Sequence, residues 1–118
     1  MKIAAPKNGD DINQHFGKSK SFAVLSVEGN EITRQEEIAI GNVHEHNHEG
    51  LAKFLASENI SVILAGGMGE GMYDALESEG FTVIRGACGS YKDAANQYLN
   101  GELKDKEAMC SHHGEHHH

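Results

Sequence analysis

Cysteines and long apolar runs are scarce in this chain, and each shortage excludes a class of protein. Two cysteines, Cys88 and Cys110, are too few for a disulfide scaffold, so free thiols or metal ligands are expected. No apolar run approaches the roughly 20 residues that a membrane helix needs. The N-terminus has no extended apolar signal-peptide core. Together these shortages predict a cytoplasmic protein with no membrane partner.

Basic residues are also few. Ten Lys and Arg oppose 18 Asp and Glu, which gives a net charge of −8 with neutral histidines. Because phosphate backbones are bound by basic faces, this balance argues against a nucleic-acid partner. It does not exclude a small anion held by backbone amides. The 118 residues fit one domain that can bury a hydrophobic core without staples.

Apolar periodicity predicts the element order β-β-β-α-β-α-β-α. The first three strands form a meander, and the last strands, joined through helices, form a parallel set. The result is an α/β fold with a mixed five-stranded sheet flanked by helices, of the ribonuclease H-like three-layer kind.

The sequence also predicts where the elements begin and end. The only proline, Pro6, is expected to end the first strand, and residues 7–20 are expected to form a loop. Residues 1–103 are predicted as one domain and 104–118 as a flexible His-rich tail. The predicted strands are 2–5, 22–27, 32–40, 61–65 and 81–85, and the predicted helices are 48–58, 70–79 and 91–99.

A glycine-rich turn is the densest motif. Four glycines fall within 66–71, directly after the apolar run 62–65 and before a helical pattern. Glycines let backbone N–H groups approach a ligand, and a helix N-terminus favours negative charge. A tight turn with no ligand explains this stretch equally well. Met68 is unusual in a turn, so it either lines an apolar or sulfur-rich pocket or packs in the core.

A second glycine turn, 86–89, follows the last strand and precedes the last helix. We expect the two turns to lie side by side at the carboxyl ends of the parallel strands, where open α/β sheets bind ligands. Cys88 at a helix N-terminus would have a lowered thiol pKa and would suit a soft metal. The alternative is a small residue in a tight turn.

Histidines are abundant and clustered, with nine in the chain. In an extended segment His44, His46 and His48 share one side, and in a helix His44 and His48 share a face. Either geometry brings imidazoles to one metal, and imidazole suits iron, copper, nickel and zinc. The alternative is a solvated loop that caps the helix.

His15 and the C-terminal histidines stand apart from that cluster. His15 precedes Phe16 and Gly17 in the first loop, where a packed Phe16 would present the imidazole beside the sheet edge; a plain surface histidine is the alternative. The terminal residues 116–118 are either a tag remnant or part of a native tail.

These motifs together resemble the dinitrogenase iron–molybdenum cofactor biosynthesis family, of the NifX/NifB C-terminal type, as a stand-alone member. The resemblance spans about residues 1–103 and depends on the order and spacing of its marks rather than on any one of them. The marks are His15-Phe16-Gly17 followed by Phe22, Gly50-Leu51-Ala52 with Leu55, the run 62–69, Leu76 with Gly80, Phe81 and Val83, and the run 98–103.

The resemblance implies a ribonuclease H-like fold and a protein that binds or carries an iron–sulfur or molybdenum-containing cluster or its precursor. It also implies no catalysis of its own, and partners that donate and accept the metallocluster. The predicted cluster-binding residues are His15, Gly66, Gly67, Met68, Gly69 and Cys88, and the predicted metal ligands are His44, His46, His48 and Cys88.

Elementary chemistry is compatible with that role. A metal–sulfur cluster is a bulky anion that amides at two adjacent helix N-termini can bind, while sparse ligation allows release. A regulatory module that binds an anionic metabolite or nucleotide at the glycine turns is the alternative, although the Walker lysine and the dinucleotide glycine spacing are absent. A two-metal nuclease is disfavoured, because strands 2–5 and 62–65 carry no acid.

Overall fold

The computed structural model describes residues 1–41 and 47–106. Over these residues the chain forms a mixed sheet of six strands with three α-helices and one short 3-10 turn. In chain order the elements are β1 (Lys2–Asn8), β2 (Asp11–Ile12), the 3-10 turn (Phe16–Lys18), β3 (Ser21–Glu28), β4 (Glu31–Ala39), α1 (His48–Ser57), β5 (Val62–Leu64), α2 (Glu70–Ser78), β6 (Thr82–Ile84) and α3 (Tyr91–Leu99).

The sheet joins an antiparallel half to a parallel half. Its strand order is β4-β3-β1-β5-β6, with β2 paired to β1. The pairs β1–β3 and β3–β4 are antiparallel, whereas β1–β5 and β5–β6 are parallel. All five predicted strands are therefore present, and the predicted meander and parallel set are confirmed. The count of five was one short, because two-residue β2 has too little pattern to show in the sequence.

Alternate residues of each strand face two separate hydrophobic clusters. Phe22 and Val24 of β3 belong to one cluster together with residues of α1 and α2. Ala23 and Leu25 belong to the other, together with residues of α3. Because neighbouring strand side chains point to opposite faces, helices cover the sheet on both sides. The carboxyl ends of β5 and β6 are left at one edge, beside the glycine turns.

Pro6 does not end β1, which is a correction to the sequence prediction. The strand continues to Asn8. Proline has no N–H to donate, but β5 pairs only with Ile3 and Ala4 and therefore needs no hydrogen bond from position 6. The Pro6 carbonyl accepts a hydrogen bond from the Asn13 amide at 2.8 Å. The predicted loop 7–20 is consequently shorter, and it contains β2 and the 3-10 turn.

The three helices begin and end close to their predicted bounds. Gly80 and Gly101 follow α2 and α3 with φ values of +92° and +76°. This left-handed conformation is open to glycine at little cost and ends a helix, as predicted for both positions. Among the described residues, no helix is long and apolar enough to cross a bilayer.

The first residues of the predicted tail contact the domain. The Lys106 amide donates to the Arg85 carbonyl at 2.9 Å, and the Asp105 carboxylate binds the Arg85 guanidinium through two hydrogen bonds at 2.9 and 2.7 Å. Leu103 packs against the α3 side of the core. The domain end at residue 103 stays a prediction, and the tail from residue 107 onward lies outside the described residues.

Candidate functional site

The first glycine turn (66–71) and the second glycine turn (86–89) lie side by side. The Gly86 amide donates to the Gly66 carbonyl, and the Ala87 amide donates to the Ala65 carbonyl, each at 2.9 Å. They follow directly on the parallel pairing of β5 with β6, whose last bond runs from the Ala65 amide to the Ile84 carbonyl at 2.8 Å. The predicted adjacency of the two turns is therefore confirmed.

The first loop of the chain lies against the first glycine turn. The Gly67 amide donates to the Gln14 carbonyl at 2.9 Å, and the Phe16 amide donates to the Gly67 carbonyl at 3.3 Å. His15 thereby forms a parallel bridge with Gly67. Phe16 is only 2% exposed and meets Phe22 edge to face at 5.4 Å. As predicted, a packed Phe16 holds an exposed His15 beside the sheet.

Gln14 connects the two glycine turns, a role that was not predicted from the sequence. Its Nε2 donates to the Ala87 carbonyl at 3.0 Å. A Cβ added at Gly66 would lie 2.6 Å from both Cδ and Oε1 of Gln14, so Gly66 provides space for this side chain. Gln14 Oε1 is buried and has no hydrogen-bond partner among the described residues. A polar residue in a predicted loop carries no pattern that would have revealed this contact.

A shallow cavity of about 430 Å³, here called the glycine-turn pocket, lies where the first loop meets the first glycine turn. Met68 packs, partly buried, against the core, as one of its two alternatives predicted, and it also lines this pocket. Gly69 is the N-cap of α2 and offers no side-chain acceptor to the first N–H groups of the helix. The lining residues are Gln14, His15, Phe16, Gly17, Lys18, Gly67, Met68 and Gly69.

His48 contacts the other flank of the same turn. A Cβ added at Gly71 would lie 2.6 Å from Cε1 and 2.7 Å from Nδ1 of the His48 ring. His48 lines a separate cavity of about 600 Å³ between α1 and α2, so it does not share a cavity with His15. The predicted ligands His44 and His46 lie outside the described residues.

Within residues 1–41 and 47–106, no group of three or more His, Cys, Asp or Glu side chains is placed to hold a metal ion. The predicted ligand set of His44, His46, His48 and Cys88 stays a prediction, because two of its members lie outside these residues.

Cys88 differs from its prediction. It is disulfide-bonded rather than a free thiol, whereas the sequence favoured a free thiol or a metal ligand. It also precedes the α3 N-cap, Ser90, whose hydroxyl accepts hydrogen bonds from the Lys92 and Asp93 amides. A thiolate binds metal only when the sulfur is reduced, so Cys88 is a ligand candidate for the reduced protein alone.

The family model described as "Dinitrogenase iron-molybdenum cofactor" matches residues 1–101. The chain belongs to this family. Both glycine turns, the first loop and His48 fall inside the matched range, so the family domain includes every part of the candidate site that the structure describes.

Proteins of similar length match this chain in sequence or in fold. The uncharacterized protein MJ0580 of Methanocaldococcus jannaschii is 25% identical over 111 residues, which cover 91% of this chain and 92% of MJ0580. The crystal structure of PH0822 superposes with a TM-score of 0.77 at 23% identity, covering 90% of this chain and 96% of PH0822. The apo orange protein from Desulfovibrio gigas gives a TM-score of 0.70 at 21% identity, covering 93% and 96%. At these identities the structural likenesses show the fold alone.

Proposed function

We propose that this protein binds or carries an iron–sulfur or molybdenum-containing cluster, or a precursor of one, at the glycine-turn pocket. Membership of the iron–molybdenum cofactor family supports a metallocluster-related accessory role. The observation that carries the proposal is the meeting of His15, Met68 and the N-terminus of α2 around one pocket. We propose a binding protein with no catalysis of its own.

Backbone groups of the pocket suit a bulky anion. No side chain caps α2 at Gly69, so the amides of its first turn are available to a ligand. Gly69 is exposed, and a Cβ added there would have no atom within 4 Å. A cluster can therefore approach the turn without displacing a side chain, and the helix dipole favours its negative charge.

Side chains of the pocket suit temporary attachment. An imidazole at His15 and a thioether at Met68 are ligands for iron and softer metals. These two anchors fall short of the closed four-ligand cage that retains a structural metal. A cargo held this way can pass from a donor protein to an acceptor protein, and the exposed His15 is within reach of either.

Additional ligands are proposed on the other flank of the turn. His48 lies against Gly71, and the sequence places His44 and His46 just before it. We propose these three imidazoles as metal ligands, with Cys88 joining only after reduction of its disulfide.

Finer features of the fold and setting also belong to the proposal. We assign the sheet to the ribonuclease H-like class, supported by its strand order and by helices on both faces. We also propose a single domain over 1–103, a separate tail and a cytoplasmic location.

Anaerobic reconstitution tests the function. The full chain is incubated with iron, sulfide and molybdate, desalted, and examined by metal analysis and absorption spectroscopy. His116, His117 and His118 are replaced by serine in every sample, because a terminal histidine run binds metals by itself. We expect the protein to retain a chromophore, and His15→Asn to reduce its yield severalfold.

A matched control separates ligation from general damage. Gln97→Ala alters an exposed position on α3, away from the pocket, and should leave the yield unchanged. Retention of no metal by the parent chain would contradict the proposal. Amide shifts at 66–71 on addition of a nucleotide, without metal retention, would favour the regulatory alternative.

A further inference from the structure

The glycine-turn pocket differs from its neighbours in charge. None of the eight described residues that line it is acidic, and two of them, His15 and Lys18, are basic. Each of the other three cavities compared with it includes at least one carboxylate. Those carboxylates are Glu49, Asp74 and Glu79 in the α1–α2 cavity, Asp10 beside α3, and Asp11 beside β2.

This absence of acids is informative because the chain as a whole is acidic, at −8. Glu70 lies within the turn as the first residue of α2, but it does not line the pocket. Local charge in a recess acts more strongly on a ligand than charge spread over the surface. The pocket therefore favours an anion, while the rest of the molecule disfavours one.

The backbone on both sides of Lys18 is fixed. Phe16 and Ser19 are 2% and 0% exposed, and the Ser19 amide donates to the Phe16 carbonyl at 3.1 Å. The Lys18 amide donates to the His15 carbonyl at 2.9 Å. The 3-10 turn thus fixes the backbone of Lys18 beside the pocket.

The Lys18 ammonium forms no ion pair within the described part of the chain. The ion pairs found there involve Lys7, Arg34 and Arg85, and none includes Lys18. An exposed ammonium on a flexible stem can meet an incoming negative charge without breaking an existing bond.

We propose that Lys18 determines the specificity of the glycine-turn pocket by pairing with the negative charge of its cargo. This inference deepens the proposed function and rests on it for the identity of the cargo. It predicts that the pocket selects metal in anionic form, as a metal–sulfur cluster or an oxyanion, over free metal cations.

Molybdate alone is the first probe. Full-length protein is titrated with molybdate, and the amide shifts of Gly67 and Gly69 give a dissociation constant. We expect Lys18→Gln to weaken binding about threefold to tenfold, the range for one charged contact that is partly open to solvent. Lys18→Arg keeps the charge and should stay within about twofold of wild type.

Lys53→Gln is the matched control, because Lys53 is an exposed lysine that lines the α1–α2 cavity instead. It should bind molybdate as wild type does. The inference is overturned if wild type shows no molybdate shifts, if Lys18→Gln binds equally well, or if Lys53→Gln is equally weakened.

Reconstitution of the same variants with iron, sulfide and molybdate separates the two proposals. If molybdate binding depends on Lys18 but no cluster is retained, the carrier function fails and the anion site stands. If wild type and Lys18→Gln retain equal cluster while molybdate binding ignores Lys18, the carrier function stands and the role of Lys18 fails.

Discussion

The two glycine turns are neighbours with similar sequences, yet glycine serves a different purpose in each. Gly66 and Gly71 of the first turn make room for side chains, since an added Cβ would lie 2.6 Å from Gln14 or His48. Gly86 and Gly89 of the second turn have φ values of +80° and +77°. The first turn needs glycine for close approach, and the second needs it for backbone conformation.

The helices that follow the two turns also differ, in how their N-termini are capped. Ser90 caps α3 with its hydroxyl, whereas Gly69 leaves α2 without a side-chain cap. The Ser90 hydroxyl satisfies two amides of the first turn of α3, whereas no side chain caps the amides of the first turn of α2. Glycine content alone therefore does not identify a binding turn. The difference between an open and a satisfied helix end does separate the two.

The largest expected effect on stability comes from Gly66→Ala in the first turn, compared with Gly89→Ala in the second. At Gly66 the new methyl group meets Gln14 at 2.6–2.8 Å, including its Cα. We expect a loss of about 2–3 kcal/mol in the free energy of unfolding, from overpacking at a buried position. At Gly89 no atom lies within 4 Å of the methyl group, so only the strain of positive φ remains, about 1 kcal/mol. Urea unfolding followed by circular dichroism measures both.

A double variant locates the clash. Gln14→Ala removes the Cδ and Oε1 atoms that a methyl group at Gly66 would meet, but not the Cα. Gly66→Ala should therefore cost less in the Gln14→Ala background than alone. Equal costs in both backgrounds would place the strain elsewhere, and equal losses for Gly66→Ala and Gly89→Ala would remove the distinction between the turns.

The elements of the fold were predictable because their signals are local. Apolar periodicity and the glycines at 80 and 101 located all three helices to within about a residue or two. The exceptions required information about partners. Pro6 stays inside β1 because β5 is too short to reach it. The residues around Pro6 carry no information on the length of β5, which begins 56 residues later.

The site was predictable only in outline. The adjacency of the turns followed from the parallel strand order, and Phe16 behind His15 followed from its apolar character. Gln14 and Lys18 were missed because a polar residue in a loop looks the same whether it faces solvent or spans two turns. The disulfide state of Cys88 was missed because redox pairing depends on tertiary distance.

Arg85 joins α2 to the residues that follow α3, and the pH dependence of its ion pair with Asp105 tests that connection. Arg85 directly precedes the second turn, and its guanidinium lies 3.8 Å above the ring of Tyr73, in the first half of α2. Its hydrogen bond to the Asp105 carboxylate is the main cause that lowers the pKa of Asp105 below the ordinary 3.8, with burial opposing it. A carboxyl group with a lowered pKa contributes stability above its ordinary pKa and loses it as pH falls through the folded value.

Asp105→Asn should therefore lower the free energy of unfolding by about 1 kcal/mol at pH 7. The gap from wild type should close as pH falls below about 4. Glu37→Gln is the control, since Glu37 is an exposed carboxylate paired with Lys7 at 3.0 Å, and it should have a smaller effect at pH 7. A gap for Asp105→Asn that is constant from pH 7 to pH 3 would show that the charge is not responsible.

The smallest expected change in stability, but the sharpest one for function, comes from giving α2 the cap that α3 has. Gly69 has φ −71° and ψ 158°, the extended conformation of an N-cap, and open space for a side chain. Gly69→Ser and Gly69→Asp should stabilise the protein by about a few tenths of a kcal/mol. If the α2 amides hold an anionic cargo, the new oxygen competes for them. Both variants should then retain less reconstituted cluster, with Asp losing more because it adds negative charge.

The control is the reverse change at the other helix. Ser90→Gly at α3 should leave the retention of reconstituted cluster unchanged. Full retention by Gly69→Asp would mean that the open helix end does not contact the cargo, and the difference between the two turns would then concern packing alone.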